Sequence, residues 1–229
     1  MIEPAMHTNP VTEYVTGPSP DLTVVLAHGR TLNPAYMQAL AERLQSPNVR
    51  FLLPAADGNS WYPKGFLSPI EENEPYLSAA LDHYEGIVAR LLAEGTDPLR
   101  IVVGGFSQGA CLTAEYLHRF PRRLGGAILW TGGLIGPDGT QWTPRPQLED
   151  MQVYLTTSET DPFVPPGRVR TTVDWLREGG AQVTAKIFVE REHHVSDEEI
   201  ECGRNLLREV RRGVSARSEE RPRRSSSVN

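Results

Sequence analysis

The chain has 229 residues, of which 39% are hydrophobic and 23% charged, a balance that excludes a collagen-like or wholly disordered polymer. At roughly 150 residues per domain, this length points to one large core. Basic residues number 23 against 29 acidic ones, a net charge of −6, so the body offers no electrostatic reason to bind nucleic acid.

Residues 1–20 are rich in proline and lack a basic cluster ahead of an apolar stretch. They read as an N-terminal extension and not as a secretory signal, which makes the cytoplasm the expected compartment. No apolar run approaches the roughly 18 residues that a membrane-spanning helix needs, so no integral membrane contact is expected. From residue 22 onward, short β-branched runs alternate with longer stretches whose apolar residues recur every three or four positions, the pattern of a mostly parallel sheet with helices on its faces.

In chain order, a strand is predicted over residues 22–27, a helix over 34–45 and a strand over 49–53. A long irregular stretch, 54–75, holds Trp61, Tyr62 and Phe66 among Gly58, Pro63, Gly65 and Pro69. Loops of that length inside compact domains are usually functional, and aromatic rings on a loop need a burial partner, so this one is expected to form a pocket wall. A helix at 74–93, a strand at 100–105, a helix at 108–119 and a strand at 126–130 come next. The glycine- and proline-rich stretch 132–145 reads as a loop. A strand at 152–156, a helix at 168–178, a strand at 183–189 and a helix at 197–211 complete the pattern. Ser196 and Glu199 open that last helix as an S-x-x-E capping box.

Residues 203–229 hold eight Arg against three Glu, a local charge of +5 that leaves −11 for the rest. Residues 213–229 read as a disordered Arg/Ser-rich tail with at most weak attraction for phosphates or anionic lipids, and 21–212 as the folded domain. Cys111 and Cys202 have no CxxC or Cys/His spacing, which argues against a disulfide framework and a zinc site. Each is expected as a small buried hydrophobe.

The sharpest chemical signal is Gly105-Phe106-Ser107-Gln108-Gly109, a G-x-S-x-G set between a predicted strand and a predicted helix. A serine on such a tight turn is thrust above the sheet, and the flanking glycines remove side chains that would clash there. A serine hydroxyl is a poor nucleophile at neutral pH, so it needs a histidine to take its proton and a carboxylate to orient that histidine. His193 and His194 follow the last strand; neighbouring side chains in an extended segment point opposite ways, and His193 is favoured. Among Asp138, Asp150, Asp161 and Asp174, Asp161 is favoured because it follows the strand at 152–156 on a turn stiffened by Pro162 and Pro165. The oxyanion of an acyl-transfer intermediate needs two donors. They are assigned to the backbone N–H of Gln108 and, in Leu26-Ala27-His28-Gly29-Arg30, to that of Arg30. Trp61, Phe66 and Phe163 are the expected substrate contacts, on loops at the C-terminal edge of the sheet.

With these segments in view, the chain resembles the phospholipase/carboxylesterase family of α/β-hydrolases, which includes bacterial carboxylesterases and acyl-protein thioesterases. The resemblance spans about residues 22–210. It rests on Leu26-Ala27-His28-Gly29, Ser60-Trp61-Tyr62, Gly104 through Gly109, Asp161-Pro162-Phe163-Val164-Pro165, and His193 followed by Val195-Ser196-Asp197-Glu198-Glu199. It implies an α/β-hydrolase fold with Ser107 as nucleophile, Asp161 as acid, His193 as base, and backbone donors at Arg30 and Gln108. The stretch from Trp61 through Phe66 to Glu74 is similar to that of the bacterial esterase branch, which implies small esters over lipidated proteins. The chain departs from many relatives at Thr31 and Ala110, where they carry glycine, and at Thr157-Ser158 and Glu192. The expected function is a serine carboxylesterase acting on small or medium-chain esters through an acyl-enzyme, without metal or organic cofactor. A homodimer is compatible with this reading. The alternatives are a thioesterase or lysophospholipase with the same triad and, more remotely, a non-catalytic binding protein on a hydrolase scaffold.

Overall fold

The alternating pattern resolves into seven strands and five helices in the computed structural model, which describes residues 7–220, with side chains through residue 216. The strands are β1 (Thr12–Val15), β2 (Leu22–Ala27), β3 (Val49–Leu53), β4 (Ile101–Phe106), β5 (Gly126–Trp130), β6 (Gln152–Ser158) and β7 (Gln182–Phe188). The helices are α1 (Pro34–Leu44), α2 (Tyr76–Ala93), α3 (Gln108–Arg119), α4 (Pro166–Glu178) and α5 (Asp197–Glu220). All strands lie in one sheet, in the order β1-β3-β2-β4-β5-β6-β7. Only β1 runs antiparallel to its neighbour; the remaining pairs are parallel.

Parallel neighbours require crossovers, and the helices that make them cover both faces of the sheet. Val24, Leu26, Val102, Ile128 and Trp130 point to one side and pack with Met37, Leu40 and Leu44 of α1 and Leu206, Leu207 and Val210 of α5. Val25, Ala27, Val103, Ala127 and Leu129 point to the other, against α2, α3 and α4. The two-residue period of a strand assigns its side chains to these two cores, and each large apolar side chain so buried contributes about 1.5–3 kcal/mol. The connection from β5 to β6 lacks an α-helix and is partly buried. Its carbonyls at Leu134, Gly136 and Pro137 accept from the guanidinium of Arg168, itself buried against the ring of Trp142.

Two segments differ from the sequence reading. Within the expected N-terminal extension, residues 12–15 form β1, paired with β3 from Thr12 opposite Leu53 to Val15 opposite Arg50. Tyr14 stacks on Phe51 at 5.9 Å, and Arg50 donates to Glu13 at 3.0 Å. Surrounding prolines and an exposed, short edge strand leave little periodicity for a sequence pattern to detect. At the other end, α5 continues past residue 211 to Glu220, so residues 213–220 of the expected disordered tail are helical. Val210 and Val214, one helical turn apart, are both buried, which carries the apolar stripe across Gly213. The rest of the expected tail, 221–229, lies outside the described residues. The capping box is present: Glu199 N–H donates to Ser196 Oγ at 3.3 Å and Ser196 N–H to Glu199 Oε2 at 2.8 Å.

Candidate active site

Ser107 sits on the turn between β4 and α3 with φ 54° and ψ −119°. This backbone conformation is rare for a residue with a side chain and costs on the order of 1–3 kcal/mol unless its surroundings impose it. They do. Ser107 N–H donates to Trp130 O of β5 at 2.9 Å, and Cys111 N–H returns to Ser107 O at 3.0 Å. The turn is closed by backbone contact at the two motif glycines. A Cβ on Gly105 would stand 2.5 Å from the Gly109 carbonyl carbon, and one on Gly109 would stand 2.1 Å from Ala27 O. Glycine is therefore a steric requirement at both positions.

The structure brings Ser107, His193 and Asp161 into one hydrogen-bonded chain. His193 Nε2 lies 2.8 Å from Ser107 Oγ, and His193 Nδ1 lies 2.8 Å from Asp161 Oδ2. The other carboxylate oxygen, Oδ1, accepts the Phe163 N–H at 3.0 Å and the Val164 N–H at 2.9 Å, so the turn after β6 grips the carboxylate from its own backbone. Burial raises the Asp161 carboxyl, yet the His193 hydrogen bond and these two amides outweigh it and hold it below the ordinary aspartate range. The imidazole is wedged between Phe106 at 5.1 Å and Phe163 at 4.8 Å. His194 is exposed and takes no part in the chain. Asp138 pairs with Arg168, Asp150 pairs with Arg123, and Asp174 is on α4. Such a relay can draw a proton from the hydroxyl while the carboxylate steadies the imidazolium that results.

The loop Gly29-Arg30 abuts the serine: a Cβ on Gly29 would lie 3.3 Å from Ser107 Cβ. Arg30 and Gln108 both line the cavity above Ser107, and among the described residues neither backbone amide has a hydrogen-bond acceptor. Thr31 adopts φ 64°. Its N–H bond to Asn59 O at 2.8 Å and its hydroxyl bond to Arg30 O at 2.6 Å hold a conformation unusual for a β-branched residue. The Arg30 side chain has a separate task. Its guanidinium donates to the carbonyls of Tyr62, Pro63 and Lys64 at 2.9, 2.8 and 2.5 Å. Gln108 holds the same strip through Tyr62 O and Trp61 N–H, at 2.8 and 3.1 Å. Both residues assigned to the oxyanion also clamp the long 54–75 loop over the serine.

That cavity has a volume of about 580 Å³, within the range of small-molecule sites. Of the three expected substrate contacts, Phe66 and Phe163 line it and Trp61 does not. Trp61 is fully buried outside the pocket, its indole N–H donating to His28 O at 2.8 Å, its ring among those of His7, His28 and His83. Its neighbour Tyr62 faces the pocket instead, on a bend whose carbonyls at 62–64 are held by the Arg30 guanidinium. Tyr36 of α1, Phe106 within the serine motif, Leu32, Val164 and Cys111 also line the cavity and were not anticipated. No sequence pattern marked a member of this set, because these side chains converge from segments far apart in the chain. Burial pushes the Cys111 thiol up to about 12, which makes it an apolar wall and no rival to the serine. Cys202, expected to be buried, is only partly so.

Sheet order, crossover pattern and a serine on the β4–α3 turn define an α/β-hydrolase-fold enzyme. Residues 19–210 match the phospholipase/carboxylesterase family, and the chain belongs to it. It is an esterase-type hydrolase. Among its relatives, the acyl-protein thioesterase 1 homolog 1 of Dictyostelium discoideum is 26% identical over 218 residues, 88% of this chain and 95% of that one. The crystal structure of a phospholipase/carboxylesterase from Dyadobacter fermentans superposes with a TM-score of 0.80 at 34% identity, covering 89% of this chain and 99% of that one. The carboxylesterase of Bacillus cereus, at 19% identity and a TM-score of 0.68 over 87% of this chain and 93% of that one, shares the fold. No helix among the described residues is long and apolar enough to cross a membrane.

Proposed function

We propose that the protein is a serine carboxylesterase that hydrolyses small or medium-chain esters through an acyl-enzyme on Ser107. The observation that carries this reading is the unbroken chain Ser107 Oγ, His193, Asp161 opening into an aromatic cavity beside two unoccupied backbone amides. Ser107 Oγ attacks the ester carbonyl as its proton passes to His193 Nε2. The carbonyl oxygen, now negative, is met by the N–H groups of Arg30 and Gln108. His193 returns the proton to the departing alcohol, and water attacks the acyl-enzyme by the same route in reverse.

Cavity chemistry supports a neutral substrate. Its walls are Tyr36, Tyr62, Phe66, Phe106 and Phe163, with Leu32 and Val164, and the cationic side chain at its rim, Arg30, is occupied by three carbonyls. Among the described residues, the one cationic side chain lining the cavity has its terminal nitrogens engaged by carbonyls, which favours a neutral ester over a phosphate headgroup. Thioesters, named for one relative, need the same relay and are separated only by rate. The test is a kcat/KM series over aryl esters of increasing acyl length, with a thioester and a lysophospholipid alongside. Esters of short or medium acyl length should lead. Preference for the thioester or the lysophospholipid by tenfold would replace the reading. If none of these substrates is turned over and Ser107 fails to react with a fluorophosphonate, a non-catalytic binding role replaces it.

A further inference from the structure

Arg191, two residues before His193 in the same loop, is buried, and so is Glu199 in the first turn of α5. Their charges face each other, Arg191 Nε to Glu199 Oε2, at 3.6 Å. Burying two charges is expensive, and the pair is a poor source of net stability by itself. What it does locally is more specific. Arg191 donates from one terminal nitrogen to the carbonyls of Glu192, at 3.0 Å, and His194, the residues on either side of His193. The other terminal nitrogen donates to Thr131 Oγ1 at 2.7 Å.

The contacts close into a ring. Thr131 follows β5 with φ 55°, and its N–H donates to Thr156 Oγ1 of β6 at 3.2 Å. The Thr156 hydroxyl donates to Glu199 Oε1 at 2.6 Å, while Glu199 Oε2 accepts from Ser196 N–H and Ser196 Oγ, both at 2.8 Å. Trp130, just before Thr131, accepts the Ser107 N–H, and β6 leads into the turn that carries Asp161. Each backbone segment that bears a member of the Ser107–His193–Asp161 chain is thus tied to this ring. The histidine loop needs such a tie, since residues 189–196 belong to no helix or strand.

We propose that Arg191, held by Glu199, is a positioning residue for His193. By fixing the carbonyls on both sides of it, Arg191 sets the direction in which the imidazole points. The inference rests on the serine-esterase reading above. A planar guanidinium can donate to two carbonyls and a hydroxyl while its charge lies 3.6 Å from a carboxylate; a lysine ammonium presents one nitrogen and cannot span them.

The experiment begins with wild-type hydrolysis of an aryl ester and fluorophosphonate labelling of Ser107. Absence of both overturns the esterase reading and this inference with it. Given an active wild type, Arg191→Lys should lower kcat roughly 10- to 100-fold, the scale of an ångström-level misplacement, with KM within about threefold and labelling slowed in parallel. An Arg191→Lys enzyme with kcat within twofold of wild type overturns the inference alone. The double variant R191M/E199Q separates positioning from charge compensation, because it removes both buried charges. It should regain the melting temperature lost in R191M while kcat stays depressed. Recovery of kcat to within threefold of wild type in the double variant would show that Arg191 only neutralises Glu199, and would refute the proposal.

Discussion

Replacing Gly109 by alanine tests whether the serine turn and the oxyanion loop are held at a fixed separation. The new Cβ would lie 2.1 Å from Ala27 O, 2.5 Å from Ala27 C and 2.7 Å from His28 O, all backbone atoms. Real Cβ contacts stay above 3.0 Å, so α3 and the end of β2 must part by about 0.9 Å. That movement carries the Gln108 amide away from the Arg30 loop, which follows Ala27 directly. Displacement on the ångström scale of groups that must meet one reacting atom costs roughly 100-fold in rate, and overpacking a tight contact costs about 1–3 kcal/mol of stability. Gly109→Ala should therefore keep KM within a fewfold, lower kcat for an aryl ester about 100-fold, and melt several degrees lower. The control is Gly65→Ala in the cavity wall, whose Cβ would meet only Ser68 Oγ at 3.8 Å and should leave both parameters nearly unchanged. A Gly109→Ala enzyme with kcat within threefold of wild type would refute the idea that this approach sets the spacing of the donors.

Ser107→Ala should fold and lose activity by several orders of magnitude, on the order of 10⁶ if the relay acts as a unit; a loss under tenfold removes the serine from the mechanism. His193→Ala should nearly abolish turnover while His194→Ala retains most of it, since only His193 reaches Ser107 Oγ; rates of the two single variants decide. Arg30→Ala keeps the backbone donor and removes the clamp on Tyr62, Pro63 and Lys64, so KM should rise about three- to tenfold with kcat far less affected, the pattern of lost ground-state binding. Unfolding should also depend on pH. Burial pushes the His7, His28 and His83 imidazoles below their ordinary value. His28 Nε2 accepts the Ala56 N–H, leaving no room for a proton. The unfolded chain therefore binds protons more readily below about pH 6.5, and the melting temperature should fall as pH drops through that value. A flatter slope in His28→Asn would tie the effect to this residue, and an unchanged slope would exclude it.

Much of the molecule was legible because its cause is local. The strand at 22–27 and the serine motif read correctly for related reasons: continuous apolar runs demand two covered faces, and a G-x-S-x-G between strand and helix demands a tight turn. The capping box at Ser196 and Glu199 needed only three-residue spacing. The failures at β1 and at residues 213–220 share a cause too. A four-residue edge strand among prolines has almost no period, and the helical stripe at Val210 and Val214 becomes visible only once a core lies beneath it.

The amino-acid order alone determined which residue types could do the chemistry and on which loops they would fall, since strand and helix periods are properties of a few neighbouring residues. It also carried Glu199 and Arg191 in plain view without marking them as partners. Folding decided which of Trp61 and Tyr62 meets the cavity, which side chains from α1 and the serine motif join it, and how a buried arginine reaches both sides of His193. Those outcomes depend on contacts between segments far apart in the chain. A steric or electrostatic match of that kind leaves no periodic trace in either segment until the sheet has brought the two together.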